Sequence, residues 1–233
     1  MLETRKRLAL ACRILYMEEL GDFNLGHMSC RVPGQDYFYM KPRGLGLEEV
    51  TPEDLIIMDM DGNKLEGAHP PHGETPIHSE IYKMRKEAQS VVHVHPIFST
   101  AFSCVRVEMK PLTQDGTLFP QGIPVFEDPE LITRKDQGKA LAETLGEGKA
   151  VLLRNHGIVT VGGTIEEACL NALSLEKALK MQFMASLFGK IEPMSEKTAL
   201  SMFASVNQNP KRSEDIWNYL VRKLKRKGLA LDE

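Results

Sequence analysis

Residues 91–96 read Val91-Val92-His93-Val94-His95-Pro96, two histidines one residue apart in a β-branched run. A strand turns alternate side chains to opposite faces, so His93 and His95 project together while Val92 and Val94 face the other, packed side. Two neighbouring imidazoles on a rigid element are a ready pair of ligands for a divalent metal. The same spacing occurs in strands that hold no metal, and the pair alone leaves both readings open. A third histidine, His156, lies in Arg154-Asn155-His156-Gly157. A lone histidine at a turn is more often structural, but three imidazoles together would leave positions open for water or substrate, as catalytic zinc sites do. Imidazole-rich sites also suit manganese, cobalt or iron, so the ligands alone do not choose the metal. Glu74 precedes Thr75-Pro76. It reads either as a surface carboxylate favoured by a helix dipole, or as an acid/base or fourth ligand beside the metal.

The elements that must position these groups are legible in outline. Apolar residues around Leu8, Cys12 and Leu15 have helical spacing and stop at Gly21. Residues 27–32, 37–40 and 55–60 read as strands, with a turn at Asp61-Gly62-Asn63. Thr75-Pro76 predicts an N-cap and first helical position for a helix through Ile77, Ile81 and Met84. The His93/His95 strand follows, then a helix from Pro96. Asp128-Pro129 predicts the start of another helix, ending near Gly146, and residues 150–161 a hairpin around Asn155-His156-Gly157. Thr164-Ile165-Glu166-Glu167 is a capping box for a long helix to about Leu187, and Ser213 is placed to cap a last helix with Trp217 and Tyr219. Interspersed helices and tightly turned strand pairs favour a layered sheet covered by helices, with substantial antiparallel pairing.

Composition narrows the function classes. The 233 residues carry a net charge of −3, without the basic footprint of a nucleic-acid or membrane-surface binder. The basic run Lys223–Lys227 reads as the solvated end of a terminal helix. No apolar stretch approaches the roughly 20 residues of a membrane span. Cys12, Cys30, Cys104 and Cys169 are scattered and form no CxxC, which predicts reduced thiols in a cytoplasmic protein.

Five motifs stand in the order and spacing of one family. Gly26-His27-Met28-Ser29-Cys30-Arg31, Lys41-Pro42-Arg43-Gly44, Gly73-Glu74-Thr75-Pro76-Ile77-His78, His93-Val94-His95 and Asn155-His156-Gly157 resemble the class II aldolase/adducin family, over about residues 5 to 190. The resemblance implies a three-layer α/β/α fold with a central, mostly antiparallel mixed sheet. We expect one such domain over 1–233, with a C-terminal helical tail from about 195. The resemblance also implies a homotetramer with active sites at subunit interfaces, His93, His95 and His156 as ligands of one divalent metal, and Glu74 as catalytic acid/base. Zinc or manganese is expected first, cobalt or iron next. The implied chemistry is carbon–carbon lysis, in which the metal polarises a carbonyl and stabilises the resulting enolate or enediolate while Glu74 moves a proton.

The chain departs from family members that act on sugar phosphates. Those carry Gly-Asn near the first strand, a Thr-Gly loop and a Ser-Ser pair before the catalytic acid; here the positions hold Gly26-His27, Arg43-Gly44 and His72-Gly73. His27, Lys41, Arg43, Gly44 and His72 are therefore the candidate substrate-binding residues. Lys41 and Arg43 suit a carboxylate as well as a phosphate. The histidine at 27 resembles the branch containing decarboxylases of hydroxylated aromatic acids. The expectation is a metal-dependent lyase for a small hydroxylated, carboxylated, non-phosphorylated substrate, with decarboxylation preferred to retro-aldol cleavage. A sugar-phosphate aldolase, epimerase or dehydratase with a divergent anion pocket is one alternative, and a non-catalytic adducin-like interaction domain another. His78 is expected to support or pack beside Glu74, and Tyr82, Trp217 and Tyr219 to pack.

Overall fold

A computed structural model describes residues 1–207 and 210–231. Eight strands form one sheet: β1 (His27–Arg31), β2 (Tyr37–Met40), β3 (Ile56–Asp59), β4 (Lys64–Glu66), β5 (Ser90–Val94), β6 (Val125–Phe126), β7 (Ala150–Leu153) and β8 (Gly157–Gly162). Their spatial order is β4-β3-β2-β1-β5-β8-β7-β6. Every neighbouring pair is antiparallel except β6 with β7. The helices are α1 (Leu2–Met17), α2 (Thr75–Met84), α3 (Ile97–Ser103), α4 (Lys135–Leu145), α5 (Ile165–Phe188), α6 (Glu196–Met202) and α7 (Pro210–Arg226). The fold is thus a mixed, mostly antiparallel sheet flanked by helices, as expected.

Period-2 alternation sorts the strand residues onto two buried faces. Met28, Cys30, Tyr39, Val92, Val94 and Ile158 pack with Leu8, Cys12, Leu15, Leu175 and Trp217 of α1, α5 and α7. Phe38, Met40, Val91, Val159 and Val161 pack with Ile77, Ile81 and Tyr82 of α2 and Leu141 and Leu145 of α4. His27, Ser29 and His93 alternate with residues of the first set, so they belong to the face that meets α2. Val92 and Val94 lie on the opposite, packed face, as the alternation predicts.

Several expected boundaries move. Glu74, not Thr75, holds the N-cap position of α2, and the Thr75 hydroxyl donates to the His72 carbonyl at 2.7 Å. The helix expected from Asp128-Pro129 starts only at Lys135, because Asp128 accepts from Glu130 N–H at 3.0 Å and ties off a turn instead. Arg134 is the N-cap there, and Gln137 reaches back to its N–H at 3.2 Å. Thr164 caps α5 through Glu167 N–H at 3.0 Å, but Glu167 accepts from Gly163 N–H at 2.8 Å rather than closing the expected box. Helix α7 already runs from Pro210, so Ser213 lies within it and not before it; residue 209, which precedes the helix, falls outside the described residues. Trp217 is buried, as expected, whereas Tyr219 is exposed and stacks beside the Arg226 guanidinium. Among the described residues no helix is long and apolar enough to cross a membrane.

Candidate metal centre and active site

Strand β5 occupies the middle of the sheet, between β1 and β8. That placement brings three separate stretches of sequence to one spot. His93 sits opposite His27 in the β1–β5 ladder. His95 follows the last strand residue, yet its Nε2 lies 3.0 Å from His93 Nε2. His156 arrives from the β7–β8 turn, its ring 4.9 Å from that of His93 and 5.0 Å from that of His95. The turn is built for this approach. Asn155 has φ +57°, a left-handed conformation that asparagine tolerates. A Cβ on Gly157 would stand 2.6 Å from the Val94 carbonyl oxygen and 2.7 Å from the His95 ring, so only glycine lets the turn close against β5.

Ring orientation is set from outside the cluster. His93 Nδ1–H donates to the Ile158 carbonyl at 2.9 Å, and His95 Nδ1–H donates to Asp22 Oδ1 at 3.0 Å. Each ring spends its hydrogen there, which leaves both Nε2 lone pairs directed at each other. Two bare lone pairs at 3.0 Å repel unless a cation lies between them. Tetrahedral zinc–imidazole geometry separates two such nitrogens by about 3.3 Å, close to the spacing found. The donor atoms of His93, His95 and His156 lie within 4.8 Å of one another. These residues fit a divalent metal.

Glu74 completes the cluster from the N-terminal end of α2. Its Oε2 lies 3.5 Å from His93 Nε2 and 3.9 Å from His27 Nε2, and its Oε1 lies 3.8 Å from His156 Nε2. Oε1 also accepts the backbone N–H of Ile132 at 3.2 Å, which the turn before α4 delivers. Burial opposes ionisation of Glu74, but its approach to His27 and His93 outweighs that and holds it well below the usual carboxylate range. Burial, with His93 adding to it, lowers His156 to about 4, so this ring is a neutral ligand at ordinary pH. Burial also drives His27 well below its ordinary value, with Glu74 opposing and His72, His93 and His78 adding to the fall.

The outer ring of expected residues divides. His27 and His72 are brought in: their rings are 4.4 Å apart, and neither is the simple surface group that a loop histidine would be. His72 Nε2–H donates to the Pro42 carbonyl at 3.0 Å, and burial with nearby Lys41 takes it down to about 3. Lys41 is fully buried and donates to the Asn24 carbonyl at 3.0 Å; burial lowers it to about 8. Arg43 and Gly44, by contrast, are exposed on the turn after β2. The Arg43 guanidinium has no hydrogen-bond partner among the described residues, and Gly44 takes φ +101° with open space beside it. His78 is fully buried and hydrogen-bonded to His27, not merely packed. Sequence reasoning missed Asp22, Ser29, and the backbone groups of Ile132 and Ile158. Asp22 meets a histidine 73 positions away, and no local pattern announces a backbone donor.

Against known proteins, the model of the Class II Aldolase and Adducin N-terminal domain matches residues 6–183. The chain belongs to this family. A 3,4-dihydroxyphthalate decarboxylase of Arthrobacter keyseri is 32% identical over 74% of this chain and 74% of its own length. Decarboxylase NovR of Streptomyces niveus is 35% identical over 70% of this chain, which spans only 62% of NovR. Among solved structures, an L-fuculose 1-phosphate aldolase from Glaciozyma antarctica superposes with TM-score 0.86 at 26% identity, covering 97% of this chain and 91% of that one. These likenesses support a metal-dependent lyase over an adducin-like scaffold.

Proposed function

We propose that this chain is a divalent-metal-dependent carbon–carbon lyase that decarboxylates a small hydroxylated, carboxylated substrate without a phosphate. His93, His95 and His156 would hold the ion, zinc or manganese before cobalt or iron. Once bound, such an ion supplies Lewis-acid polarisation of substrate oxygens and charge stabilisation as the carbon–carbon bond breaks. Ionised Glu74 takes the proton of a substrate hydroxyl, and returns it to the carbon that loses carbon dioxide. The bond to the carboxyl carbon breaks, its electron pair stays with the substrate, and the returned proton balances the charge. His27 binds the substrate beside Glu74, with His72 and Lys41 closing the side away from the metal ligands.

One observation supports this preference: His27 and His72, at the positions where the resemblance puts asparagine and serine in members acting on sugar phosphates, form a buried pair with rings 4.4 Å apart. The likeness to decarboxylases agrees with it. The exposed Arg43 arm and the likeness to a fuculose-phosphate aldolase favour a second reading, aldol cleavage of a sugar phosphate. In either case we read 1–233 as one catalytic domain with a helical tail from about 195, acting on a small molecule in the cytoplasm as a homotetramer with sites at subunit interfaces. Phe23 and Ile97, each two residues or fewer from Asp22 or His95, are 91% and 75% exposed and suit such an interface.

The test is a panel assay with added Mn²⁺, Zn²⁺ or Co²⁺, setting hydroxylated aromatic acids against phosphorylated aldol donors. Carbon dioxide release from the acids is expected, falling 100-fold or more in Glu74→Gln. Turnover of sugar phosphates alone, lost selectively on neutralising Lys41 and Arg43, would establish the second reading instead.

A further inference from the structure

We infer that Tyr82, Ser29 and His78 form a buried hydrogen-bond chain that fixes the tautomer of His27, leaving its single hydrogen on Nε2 as a donor to the substrate. The link to substrate rests on the lyase reading above; the chain itself rests on geometry. His78 and Tyr82 stand one turn apart on α2, and His27 and Ser29 stand two residues apart on β1, so both pairs share a facing side. All four are buried to within 1% exposure. Ser29 Oγ lies 2.8 Å from the Tyr82 hydroxyl and 2.6 Å from His78 Nδ1, and His78 Nε2 lies 2.7 Å from His27 Nδ1.

The hydrogens along this chain can run only one way at low cost. Among the described residues the Tyr82 hydroxyl has no acceptor except Ser29 Oγ, so it donates there. Ser29 then gives its own hydrogen to His78 Nδ1. With Nδ1 accepting, neutral His78 carries its hydrogen on Nε2 and donates to His27 Nδ1. Neutral His27 must therefore hold its hydrogen on Nε2. Running the chain backwards would strand a buried tyrosine O–H, a penalty of about 1–3 kcal/mol.

The far end of the chain is open. His27 Nε2 is buried and has no hydrogen-bond partner, and Glu74 Oε2 at 3.9 Å is beyond reach. A donor held at a fixed tautomer, unsatisfied, facing the proton-moving carboxylate is a group kept for a substrate oxygen. His78, Ser29 and Tyr82 touch no substrate; they are positioning residues.

The tautomer is read by ¹H–¹⁵N NMR of metal-free, ¹⁵N-histidine-labelled protein, with His27 assigned by the signals lost in His27→Gln. Wild type should show a bare Nδ1 and a protonated Nε2 on His27. Ser29→Ala removes one oxygen and should populate the other tautomer, while kcat falls about 10- to 100-fold with little change in KM. His78→Leu should do the same. His78→Gln keeps a side-chain N–H for His27 Nδ1 and should restore both the tautomer and most of kcat. A wild-type His27 protonated on Nδ1, or a tautomer unmoved by Ser29→Ala, overturns the inference. Because the readout needs no substrate, the right tautomer without turnover of hydroxylated acids counts against the lyase reading alone.

Discussion

Lys41 and Glu74 show how burial sorts charged side chains at one site. Glu74 stays ionised because imidazoles surround it, while burial takes Lys41 down to about 8 against the opposing pull of Glu48, Glu49 and Asp22, with the Asn24 carbonyl as its hydrogen-bond acceptor. The folded pKa of Lys41 thus lies below its unfolded value of about 10.4. Between those values the unfolded chain binds more protons, so the Lys41 contribution to stability rises with pH from about 8 to about 10. Urea unfolding of wild type and Lys41→Met across that range should show wild type gaining up to about 3 kcal/mol on the variant. Parallel curves would mean that Lys41 is hydrated in the folded protein. At this scale the sequence was informative about which side chains meet: His93, His95, His156 and Glu74 do converge. It was silent on tautomers, which depend on acceptors such as the Ile158 carbonyl and Asp22 that only the fold supplies.

Among the elements, strand alternation and turn chemistry did most of the predictive work. The Val92/Val94 alternation and the Asn155-His156-Gly157 turn were readable because each is a local pattern. The start of α4 was not, since Asp128 can cap a helix or tie a turn, and the choice falls to Glu130 and Gln137 around it. His78 was read as support for Glu74 on spacing alone, but its partners His27 and Ser29 lie about 50 residues away on β1. The β7–β8 turn offers a direct test of the close approach. Gly157→Ala should cost about 1–3 kcal/mol in thermal or denaturant unfolding, because its Cβ meets the Val94 carbonyl and the His95 ring. Metal affinity should fall about tenfold or more as His95 is pushed aside. Unchanged affinity would show that the turn does not set the ligand geometry.

The sheet is covered on both faces, and among the described residues the large apolar side chains left exposed lie on loops, on the edge strand β4 and on helices such as α5. Leu187 and Phe188 at the end of α5 are 64% and 89% exposed, more than an isolated subunit gains by displaying. The proposed homotetramer predicts a sedimentation mass about four times that of the chain, reduced in the double variant Leu187→Asp, Phe188→Asp. A monomeric wild type would contradict it. A layered sheet covered by helices was legible early because helices and turned strands alternate along the chain, and the three layers followed from the family resemblance; the subunit interface has no periodic signature. The rest depends on three imidazoles, two of them oriented by Asp22 and the Ile158 carbonyl, holding one divalent ion beside Glu74. Calorimetric titration of chelator-stripped protein with Zn²⁺ and Mn²⁺ tests it most directly. One ion per chain is expected in wild type and none in His95→Ala; no binding by wild type, or equal binding by His95→Ala, would overturn the metal site.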